Sequence, residues 1–218
     1  MVATLKRVET VSLKIVLSGG KRSKTLTFIA VMSALGNVLS FISLQLAPIA
    51  PNIPLGPVSV SLAFDLSHLA TFVAALFGGP VIGGMTGLIG GLVSSFEFGF
   101  SKGNIVSGVA IPIGKAFTGV VAGFIMSRID YKPKKWMFIA TTIISYLPEA
   151  VFTAFIFIVV YPALFEMPIL IVNAITVQIL VKAFIEMAVM GVILMGLYGN
   201  VAFASYSESF FPKEVKKT

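Results

Sequence analysis

The sequence contains no cysteine and only one histidine, His68. The absence of cysteine excludes disulfide bonds, thiolate metal sites and a cysteine nucleophile. A single imidazole without any thiol also disfavours a zinc site, because zinc is usually held by several histidine or cysteine ligands. We therefore expect neither a metal nor a resident cofactor.

Charged residues are also scarce: they make up 11% of the 218 residues, whereas 57% are hydrophobic and the mean hydropathy is +1.00. These values lie far outside the usual range for a soluble domain and predict an integral membrane protein. The net charge of +7 would suit a nucleic-acid ligand. However, the basic residues cluster in the N-terminal segment, at 128–135 and at 213–217, which is a membrane topology signal. We expect lipid, and not nucleic acid, around this chain.

Six apolar segments are each near the ~20 residues that cross a bilayer. They cover roughly residues 25–45, 58–77, 79–97, 104–127, 136–161 and 169–199. The basic connection 128–135 is expected in the cytoplasm by the positive-inside rule, and both termini then lie there too.

The predicted fold is thus an all-α membrane protein with six transmembrane helices. Residues 1–24 form a cytoplasmic segment that is either amphipathic or disordered, 25–199 form the membrane domain, and 200–218 form a cytoplasmic tail.

No motif for ATP hydrolysis or other catalysis is present. The stretch LSGGK, residues 17–21, is similar to part of an ATPase signature, but a phosphate loop would need glycine at Ile15 and serine or threonine at Arg22. The motifs G-x-S-x-G and H-E-x-x-H are also missing. We expect that the chain is not an enzyme, so uphill transport would draw energy from a partner or from an ion gradient.

Small residues mark two helix surfaces. In the first span, Ala30, Ser33, Ala34 and Asn37 recur at helical spacing, which lets another helix approach closely, whether from this chain or from a partner. Between the second and third spans, residues 78–80 (Gly-Gly-Pro) predict a tight turn. The glycines that follow favour either a tightly packed hairpin or a sliding surface.

Four features of the sequence together resemble the substrate-binding S component of an energy-coupling factor (ECF) vitamin transporter. They are the basic N-terminus, Ala30 and Ala34, the outer loop APIAPNIPLGPVSVS and the hairpin FGGPVIGGMTGLIGG. The resemblance implies a prokaryotic cell-membrane protein that binds a vitamin or vitamin precursor under its outer loops. It also implies that Ala30 and Ala34 dock on a transmembrane T component carrying two cytoplasmic ATPases, against which the S component topples to release its cargo.

Ionisable residues inside the predicted spans are candidate ligand contacts, because intramembrane charges face the bundle interior and pair. Asp65 and His68 share one helix face by their spacing, either as a satisfied couple, as a proton relay or as substrate contacts. An internal salt-bridge network, for example Lys182 with Glu186, is an alternative for the deeper charges. The candidate substrate-binding residues are Asn52, Asp65, His68, Glu97, Asn104, Lys115, Glu149, Asn173, Gln178 and Lys182.

Riboflavin is the favoured cargo, because residues 65–67 (Asp-Leu-Ser) resemble an Asp-Phe-Ser of flavin-binding members. Gln178 and Lys182 depart from the expected pattern, an Asn three residues before a Lys. Thiamine, pantothenate, folate, and a cobalamin or queuosine precursor therefore stay open. The alternative function is an ion-coupled secondary transporter that uses the buried charges as its coupling site.

Overall fold

The computed structural model describes residues 19–55, 58–61, 64–128, 136–203 and 205. The predicted tails, apart from their innermost residues, and the basic connection 129–135 lie outside the described residues. The elements in chain order are α1 Gly19–Leu46, β1 Asn52–Leu55, β2 Val58–Ser61, α2 Ser67–Gly90, α3 Leu92–Phe98, α4 Ile105–Met126, α5 Trp136–Phe155, α6 Tyr161–Phe165 and α7 Ile169–Tyr198. A π-helical turn, Ile156–Val160, joins α5 to α6.

Five stretches of the described residues are long and apolar enough to cross a membrane. They are Arg22–Ile49, Ser67–Lys102, Ile105–Met126, Trp136–Phe165 and Ile169–Tyr198. The multi-pass helical character predicted from the sequence is therefore confirmed. The predicted second and third spans fall within one stretch, Ser67–Lys102, so the count of six helices and the orientation of the termini stay predictions.

The α2 segment reverses direction at Gly79, whose φ of 78° lies in the left-handed region, and Pro80 follows directly. A Cβ placed on Gly83 would lie 2.7 Å from the Cβ of Ala75, although eight residues of straight helix would separate them by about 12 Å. The two arms of α2 therefore run side by side. The turn predicted at residues 78–80 is confirmed.

The predicted helix over 58–77 begins too early. Residues 58–61 form β2, which pairs antiparallel with β1 in a register that places Leu55 opposite Val58. Proline at positions 54 and 57 disfavours a helix here, and the alternation Val-Ser-Val-Ser suits a strand. The helix starts only at Ser67, so Asp65 lies in the connection before it and does not share a helix face with His68.

The two halves of the bundle differ in polarity. We call the half near the β-hairpin the hairpin side, and the half near Gly79 and the ends of α4 and α7 the turn side. The turn side holds a closely packed apolar core that includes Phe28, Phe72, Met190 and Leu194, all fully buried. Buried charged side chains lie toward the hairpin side, as described below.

Glycines bring α2 and α4 into backbone contact. A Cβ on Gly83 would lie 2.6 Å from the carbonyl oxygen of Gly119, which leaves no room for a side chain between the helices. Pro112 inside α4 cannot donate to the Gly108 carbonyl one turn earlier, and the Ser95 hydroxyl donates to that carbonyl instead. The region is a tightly packed hairpin, which is the first of the two interpretations of the glycine pattern.

Candidate functional site

A cavity of about 280 Å³ lies between the start of α2 and helices α3, α4, α5 and α7. Its walls are mainly apolar, with Ile111, Phe157 and Ile179 among them. Its charged and imidazole side chains come from four separate parts of the sequence: Asp65 and His68, Lys115, Glu149, and Lys182 and Glu186. An apolar cavity with a few placed polar groups is typical of a small-molecule site.

Lys115 forms the most fully bonded part of this cluster. Its ammonium donates to Asp65 Oδ2 at 2.7 Å, to Ser94 Oγ at 3.1 Å and to the Ser67 hydroxyl. The Asp65 Oδ1 atom in turn accepts the backbone N–H of Ser67 at 3.0 Å. Because all three protons of the Lys115 ammonium have acceptors in the protein, its main role here is to join α4 to α2 and α3.

Asp65 is held in its charged form by these partners. Burial of the carboxyl disfavours its charge and would raise its pKa, but the charge of the Lys115 ammonium and its hydrogen bond to the carboxyl outweigh that effect. The pKa of Asp65 is therefore well below its ordinary value.

His68 pairs with Glu149 and not with Asp65, so the predicted Asp65–His68 couple is wrong. Its Nε2 lies 3.3 Å from Glu149 Oε2, which also accepts the Thr118 hydroxyl at 2.5 Å. Within the described residues, the buried Nδ1 of His68 has no hydrogen-bond partner. An Nε2–H that donates to Glu149 and a bare Nδ1 is therefore the tautomer that leaves no buried N–H unbonded.

The predicted Lys182–Glu186 pair is present but loose, with 3.6 Å between Lys182 Nζ and Glu186 Oε1. The Lys182 side chain is 31% exposed, compared with 4% for Lys115. Lys182 is thus the cation of the cavity with most capacity to donate to a bound molecule. Glu186 also accepts the backbone N–H of Asp65 at 2.9 Å.

The cluster can bind and orient a polar molecule. It contains three carboxylates and two ammonium groups besides His68, most of them in pairs, as expected for charges at membrane depth. Both signs of charge border one apolar space, so a ligand that presents a hydrogen-bond acceptor near Lys182 and a flat apolar surface to Tyr146 would fit it.

Of the ten sequence-predicted binding residues, five line the cavity: Asp65, His68, Lys115, Glu149 and Lys182. Asn104 instead caps α4 by accepting the Ser107 N–H, and it donates to the Tyr161 hydroxyl. Glu97 and Asn173 are exposed, and Gln178 is half-buried beside the cavity-lining Ile179. The side chain of Asn52 lies outside the described residues.

Several polar residues of the site were missed by the sequence reasoning as ligand-site members. Glu186 was noted only as the partner of Lys182 and Ser67 only as part of the stretch 65–67, whereas Ser94 and Thr118 were not noted. Hydroxyl residues are common in membrane helices, so only their tertiary position distinguishes them. The spacing of Glu186 one turn after Lys182 was the available signal.

The small-residue face of α1 divides into two parts. Ala30 and Ala34 are exposed, whereas Ser33 is buried. Asn37 faces the protein, since its side chain donates to the Ile89 carbonyl at 3.0 Å and accepts the Val93 N–H at 2.9 Å. The two alanines therefore present a smooth external surface, and the other two residues serve internal packing.

These features define a multi-pass helical membrane protein with a compact, partly charged cavity for a small molecule. The family model for the ECF transporter, substrate-specific component, matches residues 24–198, and the chain belongs to this family. The resemblance drawn from the sequence is thereby confirmed. A comparison with curated proteins gave no match. Family membership makes the chain a substrate-specific transporter component and implies a small-molecule substrate and association with a T component and ATPases.

Proposed function

We propose that this chain is the high-affinity binding subunit of an ECF importer in a prokaryotic cell membrane, and that its cargo is a vitamin or vitamin precursor. The observation that carries the proposal is the cavity of about 280 Å³ with six ionisable side chains on otherwise apolar walls. This volume is at the low end for ligand pockets, which favours a compact ring system.

Within this cavity, Lys182 and Tyr146 are the proposed principal contacts. The Lys182 ammonium is the least committed cation, and the buried Tyr146 ring borders the cavity edge-on to both His68 and Phe184. Lys115, through its bond to Asp65, and the His68–Glu149 pair are proposed to shape the site. The other five predicted residues are proposed to contact the ligand only after the outer segments move toward the cavity. They are Asn52, Glu97, Asn104, Asn173 and Gln178.

Riboflavin is the proposed first candidate, on the basis of the Asp65-Leu66-Ser67 stretch. The Asp65 carboxylate and the Ser67 hydroxyl are both occupied by Lys115, so they would support a flavin site indirectly. Thiamine, pantothenate, folate and the precursors of cobalamin and queuosine are the competing cargoes.

Delivery is proposed to follow the mode of the family. Both termini and the turn side face the cytoplasm, and the β-hairpin side faces outward. The exposed alanines of α1 dock on the T component, two partner ATPases supply the energy, and the subunit topples in the bilayer to release its cargo.

The deciding experiment is native mass spectrometry with absorbance spectroscopy of the gently purified chain. A co-purified molecule of vitamin mass is the expected result, and a flavin spectrum would identify riboflavin. A chain that retains nothing and binds no member of a vitamin panel would contradict the proposal.

The competing function is an ion-coupled secondary transporter, which the buried His68–Glu149 pair would suit as a coupling site. Proteoliposomes that contain this chain alone distinguish the two functions. Uptake driven by a proton gradient without partner subunits would favour the carrier, whereas the binding subunit requires its T component and ATPases.

A further inference from the structure

Glu186 connects two parts of the protein that the sequence keeps far apart. Its side chain is buried in α7 at the cavity wall. The same oxygen, Oε1, accepts the Asp65 N–H at 2.9 Å and lies 3.6 Å from Lys182 Nζ. One carboxylate therefore serves both a backbone group outside the helices and the cation most available to a ligand.

The backbone group belongs to the connection that leads from the β-hairpin into α2. Strand β2 packs against α7, and the next residue after Asp65, Leu66, donates its N–H to Ser43 Oγ in α1 at 3.1 Å. The connection is thus attached to α7 by one bond and to α1 by another. This amide is partly buried, and loss of its acceptor carries a desolvation penalty, so the Glu186 bond favours this position of the connection.

We propose that Glu186 is a positioning residue, whose bond to the Asp65 N–H holds the β-hairpin connection at the cavity. The strength of this bond depends on whether Lys182 interacts with Glu186 or with a ligand. The proposal deepens the proposed function, since it concerns the same cavity. A ligand acceptor that bonds Lys182 draws the ammonium away from Glu186. The carboxylate then serves Asp65 alone, and this charge-assisted bond becomes stronger. Occupancy of the cavity and attachment of the hairpin thereby reinforce each other.

The attachment can be tested without any ligand. The chain has no cysteine, so cysteines introduced by Ser59→Cys in β2 and Leu170→Cys at the exposed start of α7 accept spin labels at two defined positions. The labelled protein in lipid nanodiscs gives a distance distribution by double electron–electron resonance. Glu186→Ala should shift this distribution to longer and more varied distances, because Asp65 N–H loses its acceptor.

Two further variants separate positioning from a general loss of structure. Glu186→Gln keeps a carbonyl oxygen as acceptor and should restore most of the wild-type distribution. Thr176→Val in the same helix removes a buried hydroxyl that donates to the Val172 carbonyl, and should leave the distance distribution unchanged. Identical distributions for wild type and Glu186→Ala would overturn the positioning role.

Lys182→Met tests the link to Lys182. It removes the competing ammonium and should narrow the distribution, as an occupied cavity would. A distribution that is unchanged or wider would overturn the link. None of these measurements requires a bound vitamin, so a failure of the proposed function in mass spectrometry is distinguishable from a failure of this inference.

Discussion

Lys115 and Asp65 form an ion pair, with 2.7 Å between Nζ and Oδ2, that joins the middle of α4 to the connection behind the β-hairpin. The pair links positions 50 residues apart, and the lysine side chain is almost completely buried. The structure thereby separates two lysines that look alike in the sequence: Lys115 is committed to the fold, and Lys182 remains available.

Loss of the Lys115 ammonium should destabilise the protein. Removal of one partner of a buried ion pair lowers the free energy of unfolding by about 3–5 kcal/mol. We expect the loss for Lys115→Met to lie near the lower value, because Ser94 still donates to Asp65. The measurement is the thermal unfolding midpoint in detergent. Lys24→Met, at an exposed lysine of α1, is the matched control and should have no effect. Equal midpoints for the two variants would contradict a structural role for Lys115.

Loss of the Lys182 ammonium should instead weaken ligand binding while the unfolding midpoint changes little. A charge-assisted hydrogen bond contributes about 1.5–3 kcal/mol, so Lys182→Met should raise the Kd for the co-purified molecule by roughly 10- to 100-fold. Isothermal titration of the purified protein measures this change. An unchanged Kd would assign Lys182 to an internal pair with Glu186 alone.

Close contact between α2 and α4 should make one glycine intolerant of a methyl group. A Cβ on Gly119 meets the backbone of Gly83, so Gly119→Ala should separate the helices and lower stability by several kcal/mol. Gly196 in α7 has nothing within 4 Å of an added Cβ, and Gly196→Ala should be neutral or raise stability by about 0.5–1 kcal/mol. Chemical unfolding in mixed micelles measures the stability of both variants. A similar loss of stability in the two would refute the close contact between α2 and α4.

The exposed alanines of α1 should matter for assembly and not for folding. Ala34→Leu adds bulk to the smooth outer surface and should abolish co-purification with the T component, with ligand binding and unfolding midpoint unchanged. Ala163→Leu makes the same change at an exposed alanine of α6 and should leave assembly intact. Retention of the complex by Ala34→Leu would remove this face from the proposed interface.

Local sequence patterns predicted much of the architecture. Long apolar stretches predicted the helices of the membrane domain, and the Gly-Gly-Pro at 78–80 predicted the reversal in α2. The same reasoning failed at residues 58–61 and 64–66, because a short alternating strand and an apolar helix start have similar composition. Because the prediction looked for apolar segments long enough to span a membrane, it assigned these strand residues to the helix.

The sequence by itself determined that this chain spans a membrane and that a few ionisable residues face the interior of the helix bundle, because uncompensated polar groups are too costly in hydrocarbon. Only the tertiary structure decided their partners. Lys115 bonds Asp65, His68 bonds Glu149, and Glu186 bonds a backbone amide 121 residues away. Spacing along one helix carries no information about such contacts, since they depend on which helices meet and at what depth.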